Sequence, residues 1–203
     1  MNRKVLCSGL AVTGLFGLLL ISAACGSSNN TKQAENTTPA AEQPPAKPPL
    51  TDADKSFMSD AAKAGYAEIQ LGKLALQKSH NKDVKDFAQT IVDDHEKMAA
   101  DLAKLASSKS VTLPDSKSLA ASFSEGKLKM YSGRRFDEAF ASKMVDDHQD
   151  AVATFQKEAN QGSDTDVKDF ASSGIPTLQK HLESAQELQN KFNTHKGGKM
   201  TGK

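Results

Sequence analysis

Residues 83–105, DVKDFAQTIVDDHEKMAADLAKL, carry the pattern that decides the fold. Apolar side chains recur here at intervals of three and four residues, which is the period of an α-helix with one buried face. The recurring positions, one of which is a histidine, are Val84, Phe87, Ile91, His95, Met98, Leu102 and Leu105. The stretch therefore predicts a long amphipathic helix that turns a histidine toward the core.

Two segments of this helix occur a second time in the chain. DVKDFA fills residues 83–88 and 166–171, and VDDH fills residues 92–95 and 145–148. The first repeat begins the second helix of a helical hairpin in both places. Short loops within each hairpin and a long connection between them predict an all-α fold, a ferritin-like four-helix bundle built from two αα-hairpins with a long helical connection. The main helices are predicted at about 52–79, 82–108, 134–160 and 165–193.

The ends of these helices have sequence signals of their own. Asn81 and Asp164 are of the residue types that cap helix N-termini, and Gly162 is of the type that ends helices. The connection is expected to contain a short helix near 116–130. Pro176 lies inside the fourth helix and is expected to kink or interrupt it, because proline has no N–H to donate.

The first 51 residues differ in composition from the rest. Residues 1–24 have a basic start, an uncharged apolar run and small residues directly before Cys25, an order that resembles a bacterial lipobox. The resemblance implies cleavage before Cys25 and acylation there, which would anchor the chain to a membrane. Residues 25–51 are rich in proline and small polar residues and predict a disordered tether. The bundle is assigned to 52–193, and 194–203 to a disordered basic tail.

Charge and cysteine content exclude some classes of function. The chain has 26 basic and 25 acidic residues, so it lacks the basic excess that nucleic-acid binding requires. Cys7 lies in the leader and leaves Cys25 alone in the mature chain, so no intramolecular disulfide can form. The sequence also contains no nucleophile elbow and no phosphate-binding loop. These absences favour a non-catalytic protein without a nucleic-acid partner.

One polar residue lies on the apolar stripe of each main helix. The four are Glu68, His95, His148 and His181, and their distances from the helix ends place them near the middle of the bundle. The preferred interpretation is a buried layer in which Glu68 accepts hydrogen bonds from one or two histidines, and its charge would then raise the imidazole pKa values. The alternative is a site for one transition-metal ion with all four residues as ligands.

Other metal sites fit the sequence less well. Di-iron proteins of the ferritin-like class use Glu-x-x-His pairs, and no such pair is present, which argues against ferroxidase chemistry. Each VDDH segment has two adjacent aspartates, but neighbours on a helix diverge by about 100°. Both cannot face inward with the histidine, so a solvated face is expected for them.

Several short motifs together resemble the bacterial domain-of-unknown-function family 4142. They are Ala67–Ala75, Val84–Ala88 with Asp94-His95, Phe136-Asp137 with Asp147-His148, and Pro176–Leu178 with His181-Leu182. The similarity extends over about residues 54–190. It implies a ferritin-like bundle exported to the periplasm or outer surface, with Glu68, His95, His148 and His181 as recurring polar positions. It implies no particular reaction.

The sequence thus predicts a lipid-anchored protein of the bacterial cell envelope. In a cell with two membranes, the outer membrane facing the periplasm is the expected location. The first expectation for its function is a non-catalytic helical domain that binds an envelope protein or a ligand, with stress response as one option. The second is a protein that binds a transition metal through the Glu/His3 site.

Overall fold

The computed structural model describes residues 48–123 and 126–197. The predicted leader, Cys25 and most of the tether lie outside the described residues. The described part contains helices and no strand, as predicted. The helices are α1 (Asp52–Lys78), α2 (Lys82–Ser108), α3 (Ser116–Ser122), α4 (Gly133–Gln161) and α5 (Thr165–Gly197), with a 3₁₀ turn at Gly126–Met130.

Side-chain caps fix where the main helices begin. Asn81 accepts hydrogen bonds from the N–H groups of Asp83 and Val84, at 2.8 and 3.4 Å, so the predicted cap of α2 is confirmed. Asp164 likewise accepts from the N–H groups of Asp166 and Val167 at the start of α5. Each cap satisfies N–H groups that have no partner within the helix.

Hydrogen bonds connect the start of α1 to the corner between α4 and α5. Asp54 is fully buried, and its carboxylate accepts hydrogen bonds from Thr51 N at 2.6 Å and from Ser163 N at 2.9 Å. Gly162 ends α4 as predicted, and its N–H donates to Glu158 O. A Cβ at Gly162 would lie 2.7 Å from that carbonyl oxygen and 2.5 Å from Glu158 Oε1, so the corner has room only for glycine.

The connection and the last helix differ in detail from the prediction. The single short helix expected near 116–130 is two pieces, α3 and the 3₁₀ turn, and Leu128 of the turn is buried in the core. Helix α5 continues through Pro176 without interruption and reaches Gly197 instead of ending at 193. The helix tolerates the proline because packing, more than local propensity, stabilises long helices.

The four long helices enclose two apolar clusters. One contains Phe87, Phe136 and Phe140 and the other contains Phe57 and Phe155. In the bundle α1 packs against α2 and α4, while α5 packs against α4 and α2. The buried polar residues His95, His148 and His181 lie along their helices between members of the two clusters. No helix in the described part is long and apolar enough to cross a bilayer.

Candidate metal centre

Three histidines from three different helices meet in the middle of the bundle. His95 is on α2, His148 on α4 and His181 on α5, and each is between 1% and 5% exposed. One ring nitrogen of each lies within 4.8 Å of a nitrogen of the other two. Their ring centroids are 5.2–5.7 Å apart. The interior position predicted for these three histidines is therefore correct.

Hydrogen bonds fix the orientation and the tautomer of two of the rings. His148 Nδ1 lies 2.9 Å from the carbonyl oxygen of Met144, which can only accept, so Nδ1 carries the proton and Nε2 a lone pair. His181 Nε2 lies 2.9 Å from Asp94 Oδ2, so Nε2–H donates and Nδ1 carries the lone pair. These are the two partners, a carbonyl and a carboxylate, that hold metal-binding imidazoles in place.

The inward nitrogens have no partners in the described part of the chain. His95 Nε2, His148 Nε2 and His181 Nδ1 are all buried without a hydrogen bond. A buried polar atom without a partner costs on the order of 1–3 kcal/mol, and native proteins contain few of them. Three such nitrogens on three neighbouring rings form a set of electron-pair donors that fits a cation preferring nitrogen ligands.

Burial keeps the three imidazoles neutral. It lowers the pKa of His95 to about 3, with a further contribution from the other two histidines. It lowers the pKa of His148 to about 4, although the Met144 carbonyl opposes the shift, and lowers the pKa of His181 despite Asp94. The expectation that Glu68 would raise these pKa values is wrong, because desolvation outweighs charge here. Neutral imidazole is the form that binds metal.

Glu68 lies beside the histidines but is engaged elsewhere. It is 6% exposed, and burial together with the hydrogen bond and charge of Asp147 raises its pKa well above the usual range. Its carboxyl therefore pairs with Asp147 and not with an imidazole, contrary to the preferred interpretation of the sequence. It is not among the three groups whose ligand atoms converge. Its place in a ligand set stays a prediction.

A cavity of about 470 Å³ connects the histidines with the surface. Glu68, His95 and His148 line its inner end, and the exposed Asp60 and Asp150 line its outer end. Small residues of α1 make the space, since Ala61, Ala64, Gly65 and Ala67 all border it. A metal held by three imidazoles would thus keep an accessible fourth position.

Two aspartates near the histidines were not predicted from the sequence to take part in the site. Asp94 precedes His95 and binds His181 on α5, while Asp147 precedes His148 and pairs with Glu68 on α1. In both VDDH segments the second aspartate therefore reaches a polar residue on the adjacent helix. The repetition of the VDDH segment was the sequence feature that could have indicated this role. The expected solvated face is correct only for the first aspartate of each segment, Asp93 and Asp146, which are exposed.

The comparisons with known proteins agree with this architecture. The sequence profile of the family described as "Domain of unknown function (DUF4142)" matches residues 39–188, and the chain belongs to this family. A search of curated proteins gives no match.

Solved structures of other proteins share the fold. A DUF305 fragment from Deinococcus radiodurans is 17% identical, with a TM-score of 0.61 over 71% of this chain and 99% of that one. CopM in its Cu(II)-bound form is 16% identical, with a TM-score of 0.56 over 68% and 97%. A dodecameric thioferritin, the bacterioferritin-related protein of Bacteroides fragilis, is 14% identical, with a TM-score of 0.56 over 73% and 90%. The chain has a ferritin-like helical fold.

Proposed function

We propose that this member of the DUF4142 family binds one transition-metal ion through His95, His148 and His181. Two observations carry the proposal: one ring nitrogen of each histidine lies within 4.8 Å of a nitrogen of the other two, and each ring has one buried nitrogen without a hydrogen-bond partner among the described residues. One ion would satisfy all three at once. The lone pairs of His148 and His181 are already directed inward by their hydrogen bonds, so no tautomer change is needed.

The donor set indicates the class of metal. Three neutral imidazoles suit copper, zinc and nickel, whereas magnesium and calcium prefer oxygen ligands. Metal–nitrogen distances near 2.0–2.1 Å require ring nitrogens about 3.3 Å apart. The nitrogen–nitrogen separations, which are at most 4.8 Å, must therefore shorten by up to about 1.5 Å. CopM, which shares the fold, was solved with Cu(II) and with silver, which supports copper as the first ion to test. Glu68 lies near the fourth position as a further candidate ligand.

Metal titration of the full chain tests this proposal. We expect one equivalent of Co(II) to give visible bands of a low-symmetry site with nitrogen ligands, and Cu(II) to show nitrogen hyperfine splitting in its electron paramagnetic resonance spectrum. His148→Gln should weaken binding by at least about 100-fold, because it removes one of three ligands. His80→Gln is the matched control, since His80 is exposed on the surface. Equal binding by the two variants, each shown by circular dichroism to be folded, would contradict the proposal.

We further propose that the domain is held at a bacterial membrane, outside the cytoplasm, by acyl chains on Cys25. The support is the order of residues 1–25, in which a basic start and an apolar run precede small residues and the cysteine. Binding of an envelope partner stays a prediction. Among the described residues Met130 is the large apolar side chain that is exposed, at 83%.

A further inference from the structure

The histidines are buried, so a metal ion needs a route to them. This inference rests on the proposed metal site and concerns how that site is loaded. The cavity is bordered by both His95 and His148 and opens to solvent between α1 and α4, where Asp60, Asp150 and Thr154 are exposed. It therefore joins bulk water to two of the three proposed ligands.

The cavity is large enough for a hydrated ion. Six waters at their share of liquid volume, about 30 Å³ each, occupy about 180 Å³. The cavity holds about 470 Å³. The volume of the cavity therefore exceeds that of a divalent cation with its first hydration shell, as a route for the hydrated ion requires.

The charges along the cavity favour a cation. The ionisable side chains that line it, besides the histidines, are Asp60, Glu68, Lys143, Asp147 and Asp150. Lys143 is the single basic group among them, and Asp147 accepts its hydrogen bond at 3.0 Å. Asp60 and Asp150 are exposed at the mouth, and Asp60 Oδ1 lies 2.9 Å from Nζ of Lys63, a residue outside the cavity lining. A cleft lined by one sign of charge raises the local concentration and the association rate of the opposite ion.

Glu68 supplies an independent observation inside the cavity. Its side chain is 6% exposed, and Oε2 is buried without a partner in the described part of the chain. Glu68 is eight residues along α1 from Asp60, which is about 12 Å. A buried carboxyl oxygen is therefore present at the inner end of the cavity, which Glu68 lines together with His95 and His148.

We propose that this cavity is the route by which a hydrated divalent metal ion reaches the three histidines, with Asp60 and Asp150 as a cation-attracting mouth. Under this proposal the mouth governs the rate of loading. The histidines govern the affinity. The two roles are separable in an experiment because Asp60 and Asp150 are exposed residues that do not contact the imidazole nitrogens facing one another.

Stopped-flow loading of the full chain with Co(II) measures the first role. Asp60→Asn/Asp150→Asn should lower the association rate constant about three- to ten-fold at low ionic strength. The difference should shrink in about 0.5 M salt, where charges are screened within a few ångströms. Asp52→Asn/Asp86→Asn is the matched control, because it removes the same charge from two exposed aspartates outside the cavity lining, each paired with a lysine as Asp60 is with Lys63. Equal rates for the two double variants would overturn the route.

Narrowing the cavity gives a second readout. A Cβ at Gly65 would have His95 Nδ1 as its nearest neighbour, at 4.0 Å, so a larger side chain extends into the cavity without a backbone clash. Gly65→Leu should slow association and dissociation of Co(II) by a similar factor and leave the dissociation constant within about three-fold. A changed affinity with an unchanged association rate would overturn the route. Absence of Co(II) binding by the unmodified chain would overturn this proposal and the metal site together, whereas unchanged kinetics with intact binding would overturn the route alone.

Discussion

Asp94 shows how a residue on the edge of one helix acts on a buried side chain of the next. It is 42% exposed, yet its carboxylate is 2.9 Å from His181 Nε2. The bond leaves His181 Nδ1 to face the other two imidazoles, so Asp94 selects the nitrogen offered to a metal. A carboxylate partner also increases the basicity of a ligating imidazole. Asp94 is a positioning residue for the proposed centre.

Removal of this carboxylate should weaken metal binding without unfolding the bundle. We expect Asp94→Ala to reduce affinity for Co(II) or Cu(II) about 10- to 100-fold, the usual effect of losing such a partner. Asp94→Asn should restore part of the loss because its amide oxygen still accepts the His181 proton. Asp93→Ala is the control, since Asp93 is exposed and bonds to Gln89 on its own helix. Equal affinities for the two alanine variants would disprove the role of Asp94.

The sequence predicted that the three histidines lie in the core, but it did not predict which groups form hydrogen bonds with their imidazole rings. Helical periodicity alone places His95, His148 and His181 on buried faces, because period and burial are local properties of each helix. The bond from His181 to Asp94 depends on how closely α2 and α5 approach, which no local pattern specifies. The same holds for Glu68, whose partner proved to be a carboxyl on α4 instead of an imidazole.

At the scale of helices, a buried carboxyl pair joins α1 to α4. Burial would raise the pKa of Asp54, but hydrogen bonds from Thr51, Ser163 and Glu158 outweigh it and lower the pKa to about 2. Burial and the neighbouring Asp54 raise the pKa of Glu158 to about 7. The two carboxyls therefore share one proton below neutrality.

This pair should make stability depend on pH in a defined window. The pKa of Glu158 rises from 4.5 to about 7 on folding, so the folded state binds the extra proton between these values. Its stabilising contribution is complete below about pH 4.5 and is lost as pH rises through 7. The unfolding free energy of the protein, minus that of Glu158→Gln, should fall by about 2–3 kcal/mol from pH 4.5 to 7 and then level off.

Urea denaturation at intervals of one pH unit measures that difference. Contributions from the histidines cancel because both proteins contain them. The exposed Glu183→Gln variant is the control and should show no trend over the same range. A flat difference for Glu158→Gln would show that the pair does not share a proton.

Helix positions were the most predictable part of the molecule. The limits of α2 agree with the sequence to the residue, and both predicted caps form, since capping depends on neighbouring residues only. Prediction was poorer where packing decides the structure. Pro176 does not interrupt α5, which packs against α4 and α2. The connection between α2 and α4 forms two short elements instead of one helix, because Leu128 packs in the core.

In the whole molecule, the polar layer divides the core into two apolar halves. Along α2, Ile91 belongs to one cluster and Leu102 to the other, with His95 between them. The apolar halves stabilise the bundle, since their burial contributes about 25 cal/mol per Å². The histidines between them are buried too, but each has one ring nitrogen without a hydrogen bond to the described residues, which costs stability. A bound ligand explains this layer better than stability does, which agrees with the proposed metal site.

The proposed lipid anchor decides where such a metal site would operate. Cys25→Ser removes the thiol that would carry the diacylglycerol, so we expect this variant to keep its leader and to lose acylation. Intact-mass analysis should show acyl groups on a chain beginning at residue 25 for the unmodified protein, and none for the variant. Cys7→Ser is the matched control, because Cys7 lies within the apolar run and would be removed with it.

Two or three acyl chains hold a protein at a bilayer far more firmly than one, so the unmodified protein should need detergent for extraction. If Cys25→Ser is processed and fractionates as the unmodified chain does, the anchor is not at this cysteine, and the metal site would have to be placed in the cell by other means.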